Sequence, residues 1–384
     1  ARLAWIAVAI SACGGKASRE SRAEGTGVQP PIGGIGGAAF GGQAAGGSPA
    51  GAATGGGPSA ACVDAEAPAS LGYVTEQADL AGLRGYATLG GHLRVTGEVF
   101  DLSDLTCLTR VKGELLVYET TDLTDLSGLE NLRTVDGTVF IGRGCQKEVE
   151  TDCKGNLALA SVVLPSLEEA THVDITGDCF GEGADYCTEN VALQAVELNG
   201  LKDVGELRIA RNPLLTEVHV DNLVHAVEVN LSSNENLAIA EFGSLVDVIS
   251  TVFLHDLPSL GTLRGFAALE SAFNISLGQT GVSDLSGLGS FKTGALGIAA
   301  NPALVSVDGL SMEVVGGLDV VLNPVLADLR GLGSVRSVDD RVVIADNPKL
   351  PTCEATWLIE TIGTSNIGNY VRIEGNDDQG VCPP

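Results

Sequence analysis

Nine cysteines hold the most legible chemistry in this 384-residue chain: Cys13, Cys62, Cys107, Cys145, Cys153, Cys179, Cys187, Cys353 and Cys382. None pair as C-x-x-C, and the five histidines (92, 172, 219, 225 and 255) stand singly, so a zinc site has no ligand set to build on. Setting Cys13 aside leaves an even number, as disulfides in an oxidising compartment require. Cys145 and Cys179 are 34 residues apart, and so are Cys153 and Cys187. Seven residues separate the cysteines within each pair, so the expected closure is Cys145–Cys153 and Cys179–Cys187. Four cysteines allow three connectivities, and bridges between neighbouring segments stay open as alternatives. The first loop carries Glu148, Glu150 and Asp152; the second carries Phe180, Glu182, Asp185 and Tyr186. Acidic projections with aromatic anchors suit a basic partner or a cation. Tolerated insertions without a ligand are the other reading.

Catalytic constellations are missing. There is no G-x-S-x-G and no P-loop, and the glycine-rich runs do not follow a strand. The expectation is a protein that is not an enzyme, with no catalytic residues, no cofactor and no resident metal. Net charge is -27, which repels phosphate backbones and excludes nucleic acid as a partner. A surface protein or glycan that is basic or cation-bridged fits better.

The elements that would position these residues fall into three segments. Leu3 to Ala12 is an apolar run of signal-peptide length, too short to span a bilayer, with Arg2 as the remnant of a basic n-region. It ends in Ile10-Ser11-Ala12-Cys13, which resembles the bacterial lipobox. That resemblance implies lipidation of Cys13, and Gly14 after it resembles the pattern sent to the outer membrane. Residues 1–13 are thus read as a signal remnant, with the membrane reached by the lipid anchor only. An ordinary signal peptide with a chance cysteine is the alternative. Residues 14–61 are one-third glycine without a G-x-y period, which reads as a flexible tether. These first 61 residues hold four basic and two acidic groups, leaving 18 basic against 47 acidic in the remainder.

From Cys62 the sequence repeats. Each unit is a strand with two inward aliphatics at i and i+2, a turn that often reads Asn-Pro, and an L-x-x-L segment. The second aliphatic falls at Val95, Val117, Ile141, Ile175, Ile209, Leu231, Leu254, Leu277, Ile298, Val320, Ile344 and Ile373. Most gaps are 21 to 24, one coil of a solenoid, so the fold expected over 62–384 is a mostly β, right-handed parallel β-helix of about twelve coils. Asn212, Asn301, Asn323 and Asn347 precede proline in register and are expected to stack as an amide ladder. In an x-L-x-D-L pattern, Asp104, Asp125, Asp284 and Asp328 share a phase with Ser161, Glu217, Thr262 and Ser306. These read as corners accepting backbone hydrogen bonds, with cation binding by stacked carboxylates as the alternative. Pro351 to Ile362 has helical spacing and should cap the last coils, with Trp357 against the core and Cys353 bonded to Cys382. Cys62 and Cys107 are positioned to fasten the first segment to the second coil.

The repeat Leu126-Ser-Gly-Leu129-Glu-Asn-Leu132-Arg-Thr-Val135-Asp-Gly-Thr-Val139-Phe-Ile141, with its cysteine-closed ends, resembles the receptor L domain, a leucine-rich-repeat-like β-helix. The resemblance implies a binding or scaffold module without catalysis, here exported, lipid-anchored and facing the cell surface or periplasm. Two further readings stay open: a passive envelope or spacer protein, and a polysaccharide-active β-helix enzyme. An exposed apolar patch favours binding, uniform charge favours a spacer, and a basic groove favours an enzyme on acidic sugars.

Overall fold

Period-two alternation gives every repeat one face to bury, and a lone strand can bury it only against the next repeat. The computed structural model describes residues 61–142, 155–177, 190–289 and 294–382. Residues Pro58–Pro384 form one unit, a mostly β solenoid of parallel strands with about eleven turns. All twelve inward positions read from the sequence stack in register, from Val95 on Val117 and Ile141 through to Ile344 on Ile373. Val74 adds a rung before Val95 that the spacing did not reveal. The inward aliphatics are inaccessible to solvent until the last rung, where Ile373 is only half-buried.

Two ladders run side by side through the first coils. Val63–Ala67, Tyr86–Leu89 and Arg110–Val111 form one; Tyr73–Glu76, Leu93–Glu98 and Leu115–Thr120 form the other. They fuse at Thr134–Gly142 into long strands, which continue as Glu169–Thr176, Asp203–Ala210, His225–Ser232, Asp247–Leu257 and Ser271–Thr280. A second parallel sheet pairs Ser161–Val163, Ala195–Glu197, Glu217–His219 and Ile239–Glu241.

The asparagine ladder is longer than the Asn-Pro pairs suggest. Asn156, Asn190, Asn212 and Asn234 form one buried run; Asn301, Asn323, Asn347 and the half-buried Asn376 form another. Within each run every side-chain amide but the last donates to the Oδ1 of the next rung and to a backbone carbonyl inside the coil, as Asn323 does to Asn347 Oδ1 at 3.1 Å and Ile298 O at 3.1 Å. Asn234 and Asn376, the last, donate to a carbonyl alone. A threonine opens each run: Thr120 Oγ1 donates to Asn156 Oδ1 at 2.8 Å, and Thr280 Oγ1 to Asn301 Oδ1 at 2.7 Å. Leu257, the partner of Thr280 on the previous coil, carries no amide, so the ladder breaks there. The residue before the ladder position has φ between 52° and 60° at Glu119, Arg211, Ser233, Asp256, Gln279, Ala300, Leu322 and Asp346. Left-handed backbone is costly for side chains with a Cβ, and here it turns the chain so that the next side chain points inward.

Both ends are fastened. Cys62 and Cys107 are disulfide-bonded with Cα atoms 5.3 Å apart. At the other end, helix α1 (Thr352–Ile362) buries Ala355, Leu358, Ile359 and Ile362, whose spacing lies on one helical face, and stops at Gly363 with φ 83°. Glu354 is fully buried on α1 and held by the Arg330 guanidinium at 2.8 Å, which also lies 4.1 Å from the centre of the Trp357 ring. Trp357 packs partly buried against the core, and Cys353 is bonded to Cys382.

Candidate recognition groove

Two of the fused strands carry one residue more than their neighbours. In Thr134–Gly142 the step from Val135 to Thr138 faces the shorter step from Ala170 to His172. In Asp247–Leu257 the extra residue lies after Val248, and register shifts there against both flanking strands. The three strands between, Glu169–Thr176, Asp203–Ala210 and His225–Ser232, pair without interruption. A bulge pushes its strand outward and re-aims a side chain. Two bulged strands around three regular ones leave a depression, and an open groove of about 620 Å³ lies there.

The lining includes the small residues Ala170, Gly205 and Ala226, with Val204 between the two alanines in register. A Cβ on Gly205 would stand 2.5 Å from Thr171 O, so only glycine permits this approach of the strands. One margin is apolar. Val227 is 44% exposed and Ile249, beside the bulge, is 65% exposed; Phe273, also 65% exposed, extends the row onto the next coil. The other margin is polar, formed by Glu169, Asp203 and His225, which are register partners on successive strands. Asp136, at the groove's end, is held by Arg110 through Nε at 3.1 Å and Nη2 at 2.9 Å. Just beyond Gly205 and Val227, Glu206 and Glu228 face each other on neighbouring strands. Burial pushes the Glu228 carboxyl up from its ordinary range, and the charge of Glu206 adds to the shift.

The outward sheet face beyond them carries Phe140, Asp174, Arg208, Asn230 and Phe253 in one register row. His255 stacks on Phe253 with ring centres 3.9 Å apart, and its Nε2 lies 2.7 Å from Ser276 Oγ. Burial lowers its imidazole to about 4.

The residues flagged from sequence are distributed differently. Cys13, Cys145, Cys153, Cys179 and Cys187, with Glu148, Glu150, Asp152, Phe180, Glu182, Asp185 and Tyr186, lie outside the described residues. In the chain, both cysteine segments fall between a strand and a ladder asparagine, Asn156 or Asn190. The repeated aspartates act at corners: Asp125 and Asp284 each accept the backbone N–H two residues on, at 2.9 Å, and Asp328 accepts that of Arg330. Thr262 and Ser306 use their hydroxyls in the same way, at 3.3 Å. Asp104 departs from this pattern and pairs with Arg84, while Asp101 caps Ser103. The hydrogen bonds at Asp125 and Asp284 lower both carboxyls. Among the described residues, no group of three or more His, Cys, Asp or Glu side chains is placed to hold a metal ion. No described helix is long and apolar enough to cross a membrane.

No family model matches the chain, and no curated protein matches it. Among solved structures it is similar to the functional domain of InlJ from Listeria monocytogenes, which includes a cysteine ladder. The match has 15% identity over 77% of this chain and 70% of that one, with a TM-score of 0.19. At that score the likeness carries no weight for mechanism or partner.

Proposed function

We propose that this protein is a non-catalytic recognition module, a lipid-anchored solenoid that holds a partner protein in the groove between its two bulged strands. The observation that carries the reading is the exposed row Val227, Ile249 and Phe273 on successive coils, of which Val227 and Ile249 line the groove. Contiguous apolar side chains rimmed by charge are a liability for solubility unless a partner covers them. The resemblance of the repeat to the receptor L domain supports a binding role, and the Ile10-Ser11-Ala12-Cys13 sequence supports export and anchoring through Cys13.

A photo-cross-linking residue placed at Ile249 in cells that make the protein tests the groove. A control at Ile239, 43% exposed but on the second sheet, accounts for chance encounters. A discrete adduct from position 249, lost when Val227 is changed to Glu, is the expected result. Equal adducts from both positions would overturn the assignment. Anchoring is tested separately by Cys13→Ser, which should release the protein from membranes and remove the lipid mass.

A further inference from the structure

Glu169 and Asp203 are direct partners on neighbouring strands, and so are Glu206 and Glu228. Like charges opposite each other weaken a sheet, yet this solenoid sets two such pairs on either side of the Gly205–Val227 line. None of the four carboxylates enters an ion pair among the described residues. Three nearby or equivalent acids are paired, with Arg110 on Asp136, Arg341 on Asp319, and both Arg133 and Lys202 on Glu168. Lys202 adjoins Asp203 in the chain and is nonetheless engaged with Glu168 at 2.7 Å. The groove's carboxylates stand directly opposite one another on neighbouring strands, with the charge of Arg110 acting on Glu169 and that of Arg208 on Glu228.

We infer that the groove takes a protein segment carrying lysine or arginine beside large apolar side chains, a deepening that rests on the recognition role proposed above. The cations lie between the carboxylate pairs near Gly205, and the apolar side chains cover Val227, Ile249 and Phe273. Gly205 to Phe273 is three strand spacings, about 14 Å, which two to three turns of helix or four to five extended residues span. Charge and shape are complementary at both ends: Glu169 and Asp203 in the lining with Glu206 and Glu228 just beyond Gly205, and apolar surface where the bulge lifts Ile249.

The test uses three fluorescent twelve-residue peptides, alternating Leu/Lys, Leu/Ser or Ser/Lys, titrated by anisotropy against the full chain. The proteins are wild type, the Glu169→Gln/Asp203→Asn double variant and Ile249→Ser. Leu/Lys should bind most tightly. The double variant should weaken it about tenfold, as loss of two exposed ion pairs allows, and Ile249→Ser should weaken both leucine peptides. Urea midpoints of the double variant should match or exceed wild type, because a like-charge pair is removed; this excludes misfolding as the cause of lost binding. Leu/Ser binding as tightly as Leu/Lys, with loss only in Ile249→Ser, would overturn the cationic inference and leave the groove standing. Leu/Lys binding that is undetectable, or indifferent to every substitution, would overturn both.

Discussion

Asn323→Ala removes one rung of the amide ladder without touching the surface. The side chain is fully buried. Its Nδ2 donates to Ile298 O at 3.1 Å, Val321 O at 3.0 Å and Asn347 Oδ1 at 3.1 Å. Its Oδ1 accepts Asn301 N at 3.0 Å and Asn301 Nδ2 at 3.2 Å. Some of these groups keep other partners: Val321 O still accepts Ala300 N at 3.0 Å, Asn347 Oδ1 still accepts the residue 323 N–H, and Asn301 Nδ2 still reaches Leu277 O. The Asn301 N–H and Ile298 O lose these side-chain partners. The Asn301 N–H left unsatisfied costs about 1–3 kcal/mol and the other side-chain hydrogen bonds lost about 1 kcal/mol each, so the expected loss is about 4 kcal/mol. Urea unfolding followed by far-UV circular dichroism reads the total, with exposed Asn236→Ala as the reference. Because a coil touches only its neighbours, hydrogen exchange should accelerate around residues 298–347 and stay unchanged around 175–231. A loss no greater than that of Asn236→Ala, or an effect spread evenly along the chain, would refute the ladder as a stabilising element.

Arg330→Ala strands the buried Glu354 carboxylate and removes the guanidinium over Trp357. The expected cost is about 3–5 kcal/mol, read as a lower urea midpoint and early loss of Trp357 fluorescence. Leu322, exposed with φ 60°, is strained where an asparagine is tolerated; Leu322→Asn should raise stability by about 1 kcal/mol in the same assay. His255 is neutral in the folded chain down to about pH 4, whereas the unfolded imidazole gains a proton near pH 6.5. Its contribution is therefore complete above that value and lost as pH falls toward 4, so urea midpoints should drop across this window in the wild type but not in His255→Gln. The corner carboxylates of Asp125 and Asp284, whose folded values are lowered, act in a separate window: their contribution is present above the ordinary aspartate range and lost in stronger acid.

The solenoid was legible because burying one strand face imposes two aliphatics at i and i+2 in every coil, and no other requirement in the repeat is as strict. The ladder was half legible. Proline marks Asn212, Asn301, Asn323 and Asn347, but the fold uses the amide, so Asn156, Asn190, Asn234 and Asn376 do the same work without it. The aspartate corners followed their pattern except at Asp104, where Arg84 on the preceding segment competes for the carboxylate. The groove was hidden for a physical reason. Its apolar margin depends on a single extra residue after Val248, and the gaps of 23 on both sides of Leu254 lie within the ordinary range of 21 to 24. Only pairing against both neighbours shows which of those residues is displaced. The same register turns Val227, Ile249 and Phe273, scattered in the chain, into one row.

Hydrogen-exchange mass spectrometry of the full chain, with and without the partner cross-linked at Ile249, tests the recognition groove most directly. The expected footprint is protection confined to residues 169–171, 203–206, 225–228, 247–251 and 271–274, with the second sheet (Ser161–Val163, Ala195–Glu197, Glu217–His219 and Ile239–Glu241) unchanged. Protection on that second sheet, with the bulged strands exchanging as in the free protein, would contradict it.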